Sequence, residues 1–131
     1  MVEIEIVDAG LPRAGPYNSG IKAGNMVYVS GQGPMDPKTQ SLASDEIKGQ
    51  TEAVLENIKI ILKAAGANVS NIVKTTVFLK NIKDFSKMNM VYKKFFKENG
   101  VTEKFPARTT VEVSNLPIDK MLIEIDCIAI T

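Results

Sequence analysis

Residues 44–79, SDEIKGQTEAVLENIKIILKAAGANVSNIVKTTVFL, contain the helix and the strand that decide the fold. Ser44–Ala65 predicts an amphipathic helix, because its apolar residues recur at spacings that place them on one helical face. Ser44 is the expected cap of its amino end, and Gly66 is the expected left-handed stop. The apolar stripe consists of Ile47, Val54, Ile58, Leu62 and Ala65. Val73–Leu79 is rich in β-branched residues, which predicts a strand after this helix.

The flanking segments predict a second helix and five more strands. Asp84–Glu98 is expected to be helical, with Phe85, Met88, Tyr92 and Phe95 directed inward. Residues 31–40 predict a loop, because two prolines and two glycines do not fit a central strand. The expected strands are Val2–Val7, Ser19–Lys22, Asn25–Ser30, Ala107–Val113 and Met121–Ile130. The order β-ββ-α-β-α-ββ predicts one α+β domain over residues 1–131, with both helices on one face of a sheet.

The strands carry uncharged residues on both faces, as in VYVS (27–30), TTVFL (75–79) and CIAI (127–130). Two helices cover only one face of a sheet in a chain of this length. An uncharged face that no helix covers needs another partner. We therefore expect a second copy of the chain to cover it, which makes the protein a homo-oligomer.

The composition excludes several classes of chemistry. The chain has 131 residues, of which 44% are hydrophobic, and it contains no histidine. Histidine pairs with serine or cysteine nucleophiles and most zinc-enzyme ligand sets are therefore absent. The single cysteine, Cys127, cannot form an internal disulfide and is expected to be a small core residue. We expect no cofactor and no metal.

Charge and targeting signals give further expectations. The net charge of +1 shows no electrostatic footprint for nucleic acid or an anionic membrane. The amino-terminal MVEIEIVDAG is acidic where a signal peptide is basic, and no apolar run is long enough for a membrane span. We expect a soluble, cytoplasmic protein.

Only two of the sixteen basic residues are arginine, Arg13 and Arg108. A surface ion pair is the ordinary explanation for each. Arg108, however, opens a strand directly after the proline of FPARTTVEVSNLP (105–117), where a stiff backbone suits a fork that binds a carboxylate. Arg108, Thr110 and Glu112 share one face of that strand.

Four other residues have both an ordinary and a functional interpretation. Glu124 interrupts an apolar strand, either as a solvated or ion-paired side chain or as a catalytic carboxyl group. Ser30 and Tyr17 lie beside glycines, where they either make local contacts or line a ligand site. Asn89 on the second helix points either to solvent or into a cleft.

Four segments together resemble the RidA family, the reactive-intermediate imine deaminases. They are GPYNSG (15–20), NMVYVSGQGPMDPKT (25–39), IVKTTVFLKNIKDF (72–85), and FPARTTVEVSNLP (105–117) followed by LIEID (122–126). The resemblance covers nearly the whole chain in order. It implies a chorismate-mutase-like α+β fold with a mixed sheet, assembled as a homotrimer with ligand clefts between subunits.

The resemblance also implies an activity and its residues. The family hydrolyses 2-imino acids such as 2-iminopropanoate and 2-iminobutanoate, or their enamine tautomers, to 2-keto acids and ammonia. The family's carboxylate-binding arginine falls on Arg108 and its glutamate on Glu124. Where many members have a cysteine, this chain has Thr110, which keeps the backbone carbonyl thought to hold water. The cleft-lining positions fall on Tyr17, Ser30, Gly31 and Asn89.

The main alternative is a non-catalytic protein that senses 2-keto acids, or a chaperone-type or RNA-directed activity of the same family. Low aromatic content and balanced charge argue against RNA cleavage. A chaperone-type role would require a large apolar patch that stays exposed after assembly.

Overall fold

Six strands and two α-helices follow one another in the predicted order in the computed structural model, which describes residues 1–131. The helices are α1 (Ile47–Ala64) and α2 (Phe85–Glu98). The strands are β1 (Ile4–Val7), β2 (Gly20–Ala23), β3 (Met26–Gln32), β4 (Ile72–Leu79), β5 (Ala107–Glu112) and β6 (Ile123–Ile130). Short 3₁₀ turns at Val69–Asn71 and Ile82–Asp84 precede β4 and α2.

The strands form one mixed sheet in the order β1-β2-β3-β6-β4-β5. All neighbours are antiparallel except β4 and β5, which are parallel and joined through α2. A parallel pair requires such a crossover, because a tight turn cannot bring the chain back in the same direction. The crossover leaves β5 at one edge of the sheet, with one side of its backbone unpaired.

Both helices cover the same face of the sheet, as predicted, and the core lies between them and the strands. The predicted stripe of α1 is buried, from Ile47 to Ala65. On the sheet side, Thr75, Val77 and Cys127 alternate with residues of the opposite face, as the pleat requires. Burial, followed by the nearby Asp126, raises the pKa of the Cys127 thiol to about 12, which agrees with a core residue.

The other face of the sheet has no helix over it. Ile4 and Ile6 are 70% and 66% exposed, and Tyr28, Val111 and Ile130 are also exposed. The register places all five on the same face, which we call the open face. The prediction of a sheet face that no helix covers is confirmed, but the face is not uncharged, because Lys74, Glu124 and Asp126 lie on it. Neither helix is both long and apolar enough to cross a membrane.

Several local predictions were wrong. α1 begins at Ile47 with Glu46 as its cap residue, because the Ser44 hydroxyl accepts from the Glu46 N–H in a turn before the helix. β3 continues through Gln32 into the predicted loop, and an irregularity between Val29 and Gln32 in its pairing with β6 accommodates the extra residue. Phe85 is 38% exposed instead of inward-facing, while Phe96 is fully buried.

Gly66 gives a test of how α1 ends. Its φ of +76° lies in the left-handed region, and an added Cβ would meet no atom within 4 Å. Gly66→Ala should therefore lower the free energy of unfolding by about 1 kcal/mol, purely through backbone strain. Urea denaturation measures this change in the free energy of unfolding. Gly66→Asn should lower it less than Gly66→Ala does, because asparagine tolerates a left-handed backbone better. Equal losses for the two variants would contradict this explanation.

Candidate active site

The sheet places Arg108 and Glu124 on opposite faces of the same chain. Arg108 pairs with Thr75, which is buried beneath the helices, so its side chain starts on the helix face. Glu124 pairs with Phe78, whose place in β4 is on the open face. The two residues also lie on strands that are separated by β4. A single chain therefore presents two separate half-sites.

The Arg108 half-site is built from the side chains of α2. The guanidinium carbon lies 4.8 Å from the ring centroid of Tyr92 and 5.5 Å from that of Phe85. Nη1 lies 3.9 Å from the sulfur of Met88. Aromatic faces attract a guanidinium without occupying its in-plane donors. Apart from the N–H directed at the Met88 sulfur, its N–H groups thus remain available for a ligand.

No carboxylate of the chain pairs with Arg108. The one ion pair within 4 Å joins Lys94 to Glu98 on the surface of α2. Interpreting Arg108 as a surface ion pair was therefore wrong. A guanidinium held by aromatic rings and without an anion suits the binding of an external carboxylate.

Tyr92 is itself fixed from below. Its hydroxyl lies 2.8 Å from the Thr75 hydroxyl in a buried hydrogen bond. Burial raises the pKa of Tyr92, more than the Thr75 hydrogen bond and the Arg108 charge lower it, so the phenol stays neutral. The ring that supports Arg108 consequently has little freedom to move.

Asn89 shares an open pocket of about 490 Å³ with Arg108. Its Oδ1 is buried and accepts no hydrogen bond from the chain. Such an atom is costly unless a donor reaches it, so it is a candidate contact for a ligand. The structure thus favours the cleft interpretation of Asn89. Sequence reasoning missed Lys93 and Phe105, which line the same pocket.

The backbone of Thr110 faces the unpaired edge of the sheet. The Val113 N–H donates to the Leu79 carbonyl of β4. Because backbone groups alternate in direction along a strand, the N–H and C=O groups of Val111 and Thr109 also point toward β4. Those of Arg108 and Thr110 consequently point away from β4. The Thr110 carbonyl is thereby available at the edge, as its expected role requires.

The Glu124 half-site depends on the absence of a side chain at Gly31. A Cβ built on Gly31 would overlap Oε2 of Glu124 and lie 2.9 Å from its Cδ. The carboxyl group therefore rests against the backbone of β3. A larger residue at this position would require the carboxyl group to move. Both residues line a cleft of about 260 Å³.

Burial, followed by repulsion from the nearby Asp126, raises the pKa of Glu124 above its usual value. The carboxyl group has no ion-pair partner within 4 Å, so the ion-paired interpretation does not apply. A raised pKa brings a carboxyl group closer to the pH at which it can both accept and donate a proton.

Of the remaining candidates, Tyr17 lies in the cleft of Glu124, whereas Ser30 does not line it. Tyr17 lines the same cleft, and its hydroxyl accepts from the Ala14 N–H at 3.3 Å. Ser30 donates to the Asn18 carbonyl at 2.6 Å, which is the ordinary strand-end contact. Arg13 also lines the cleft and donates to the Asn18 side chain at 3.0 Å, so interpreting it as an ion pair was wrong. Its position in the cleft was missed, although the scarcity of arginine was a usable signal.

Gly31→Ala should displace Glu124 without unfolding the protein, because a terminal carboxyl group can swing away from the added methyl group. We expect the free energy of unfolding to change by less than about 1 kcal/mol. The Glu124 pKa should fall toward its ordinary value as the group enters solvent, which NMR titration of ¹³C-labelled glutamate would detect. Gly66→Ala is the control, since its Cβ would meet no atom and Gly66 does not line the cleft. A Glu124 pKa that is the same in both variants would refute this packing.

Glu124→Gln should make stability less dependent on pH. The raised pKa means that the folded state holds more protons than the unfolded state between the ordinary and the raised pKa. Wild-type stability consequently falls as pH rises through that window, whereas glutamine has no such loss. The free energy of unfolding of the variant, relative to that of the wild type, should therefore rise between pH 4 and pH 8. The rise should be about 1 kcal/mol at most, since the carboxyl group is partly solvated. Urea denaturation at the two pH values measures the gain, and a pH-independent difference would contradict it.

Comparisons with known proteins show the family of the chain. Residues 8–131 match the family model described as Endoribonuclease L-PSP. The chain is 50% identical over 116 residues to a 2-iminobutanoate/2-iminopropanoate deaminase of Salmonella typhimurium, covering 88% of each chain. It is 48% identical over 129 residues to a RutC family protein of Pyrococcus horikoshii, covering 98% of each.

Among solved structures, the YjgF gene product of Escherichia coli superposes with a TM-score of 0.89 at 43% identity, covering 96% of this chain and 98% of that one. Identity at this level over nearly the full length, with the same α+β architecture, goes beyond a shared fold. The chain belongs to the RidA family, which the matching model describes as Endoribonuclease L-PSP.

Proposed function

We propose that this protein hydrolyses reactive 2-imino acids, such as 2-iminopropanoate and 2-iminobutanoate, or their enamine tautomers, to 2-keto acids and ammonia. The observation that carries the proposal is the Arg108 guanidinium, which two aromatic rings hold and no carboxylate neutralises. A relative that is 50% identical has the name of this activity.

The active site forms between two copies of the chain. Arg108 and Glu124 start on opposite faces of one sheet, so neither can reach a small acid held by the other within the chain. When the β5 edge of one copy covers the open face of the next, Arg108 of the first copy approaches Glu124 of the second. A homotrimer repeats this contact three times as a closed ring, and each contact contains one cleft.

Arg108 binds the substrate carboxylate through paired N–H donors, which contributes on the order of 1.5–3 kcal/mol. This contact directs C2 of the imine toward a water held by Glu124 and the Thr110 carbonyl. The water oxygen bonds to C2 of the protonated imine, the C=N π pair moves to nitrogen, and Glu124 accepts a water proton, which gives a carbinolamine. Glu124 returns that proton to nitrogen. The C–N bond then breaks while the carbinolamine hydroxyl gives its proton to Glu124, so the keto group forms and ammonia leaves, and the proton on Glu124 passes to ammonia or to solvent. Tyr17, Ser30, Gly31 and Asn89 form the walls of the cleft.

A coupled assay tests the activity. A threonine dehydratase supplies the imine, and 2-keto acid formation is followed with and without the protein. We expect acceleration by the wild type and little by Arg108→Lys, because an ammonium cannot reproduce the paired donors. If the wild type binds 2-ketobutanoate without accelerating its formation, the protein is a keto-acid sensor instead.

Mixed oligomers test whether two chains build each site. Arg108→Ala and Glu124→Gln chains should each be inactive alone. After co-refolding in equal amounts, about a quarter of the sites combine a native Arg108 from one chain with a native Glu124 from another. We therefore expect about a quarter of wild-type activity.

The control for the mixing experiment pairs Arg108→Ala with Arg108→Lys, since every site then lacks arginine. Native mass spectrometry verifies that mixed oligomers form. Mixed oligomers of Arg108→Ala and Glu124→Gln that remain inactive would overturn the shared site.

A further inference from the structure

Two buried amides of α1 touch the backbone beside the Glu124 half-site. Gln50 is fully buried and Asn57 is 5% exposed. Their spacing of seven residues places them on one face of the helix, two turns apart. Polar side chains this deep in a core persist only when their hydrogen bonds are made. Apart from the Ser44 carbonyl, to which Gln50 also donates, their partners lie in the two segments that lead away from Gly31 and toward Glu124.

Asn57 holds the segment that leaves β3. Its Nδ2 donates to the carbonyls of Gly33 and Met35, at 3.2 and 2.8 Å. Gly33 is two residues beyond Gly31, so the amide fixes the backbone against which the Glu124 carboxyl group rests.

Gln50 holds the segment that enters β6. Its Oε1 accepts from the Leu122 N–H at 2.7 Å, two residues before Glu124. Its Nε2 donates to the carbonyls of Lys120 and Ser44, at 3.0 and 3.1 Å. Lys120 has a φ of +69°, which a non-glycine residue seldom adopts, and the amide bridges this turn.

We propose that Gln50 and Asn57 are positioning residues, which act through the backbone to hold Glu124 against Gly31 in the geometry that the hydrolysis requires. This inference rests on the proposed function for its catalytic consequence. A shift of either segment would break the hydrogen bonds of a buried amide, so the two strands have one preferred relative position. No substrate atom needs to touch either amide.

The charged surroundings of Glu124 make its titration a suitable indicator. Asp126 faces it from the same strand, while Phe78 of β4 brings no charge. Arg13, Asp36 and Tyr17 are the other titratable groups of the cleft. The Asp36 carboxylate accepts from the Lys38 and Thr39 N–H groups, and the nearby Lys80 ammonium is bound to the Asn115 side chain. None of these groups is hydrogen-bonded to Gln50 or Asn57.

The test replaces the amides by side chains of similar size in Asn57→Leu and Gln50→Met. We expect kcat to fall about 10- to 100-fold, as for a small misplacement of a reacting group. KM should change by less than about threefold, because the Arg108 half-site is untouched. The Glu124 pKa should move toward its ordinary value in the ¹³C titration, and the acid limb of the kcat profile should move with it.

Thr51→Val is the matched control. Thr51 is equally buried on the same helix, but its hydroxyl donates only to the Ile47 carbonyl within α1. The control should lose a hydrogen bond without changing kcat or the Glu124 pKa. If Asn57→Leu does not fold, Asn57→Ser leaves room for a water and serves in its place.

Three outcomes separate this inference from the proposed function. A Glu124 pKa that stays at the wild-type value in the folded variants would overturn the positioning role, whatever the activity. An equal loss of kcat in Thr51→Val would do the same, by showing a general effect of stability. A wild type that does not hydrolyse imines would overturn the proposed function alone, because the titration needs no substrate.

Discussion

The alternation of side chains across a β-sheet is the constraint on which the rest of this structure depends. Because of it, the side chains of Thr75 and Arg108 lie on the helix face, and those of Phe78 and Glu124 lie on the open face. The helices fill one side, so the other side, with exposed residues such as Ile4 and Ile6, has no cover within the chain. The uncovered face and the separation of the two half-sites therefore have the same origin.

The two half-sites hold their functional groups by different means. Arg108 is held by the quadrupoles of Tyr92 and Phe85, which attract a cation without neutralising it. Glu124 is held by the shape of the Gly31 backbone and is partly desolvated, so its proton binds more tightly. A chain without histidine thus has a fixed cation and a carboxyl group of raised pKa. The proposed hydrolysis of an electrophilic C=N bond requires these two groups and a water molecule.

Local patterns predicted the elements well, because they are set by spacing and backbone chemistry. The stripe of α1, the positive φ at Gly66 and the order of strands are confirmed. Contacts between distant segments were not predictable in this way. The rings beneath Arg108 belong to α2, and only the crossover brings β5 beside them. Gln50 likewise looks like an ordinary polar helix residue in the sequence, since its partners are about 70 residues away.

A crystal structure with bound 2-ketobutanoate tests the shared site most directly, because the ligand has the carboxylate and the C2 carbon of the product. We expect the ligand carboxylate within hydrogen-bond distance of Arg108 of one chain, with C2 facing Glu124 of a neighbouring chain. A ligand bound wholly within one chain, for example against Arg13 in the Glu124 cleft and far from any Arg108, would contradict it.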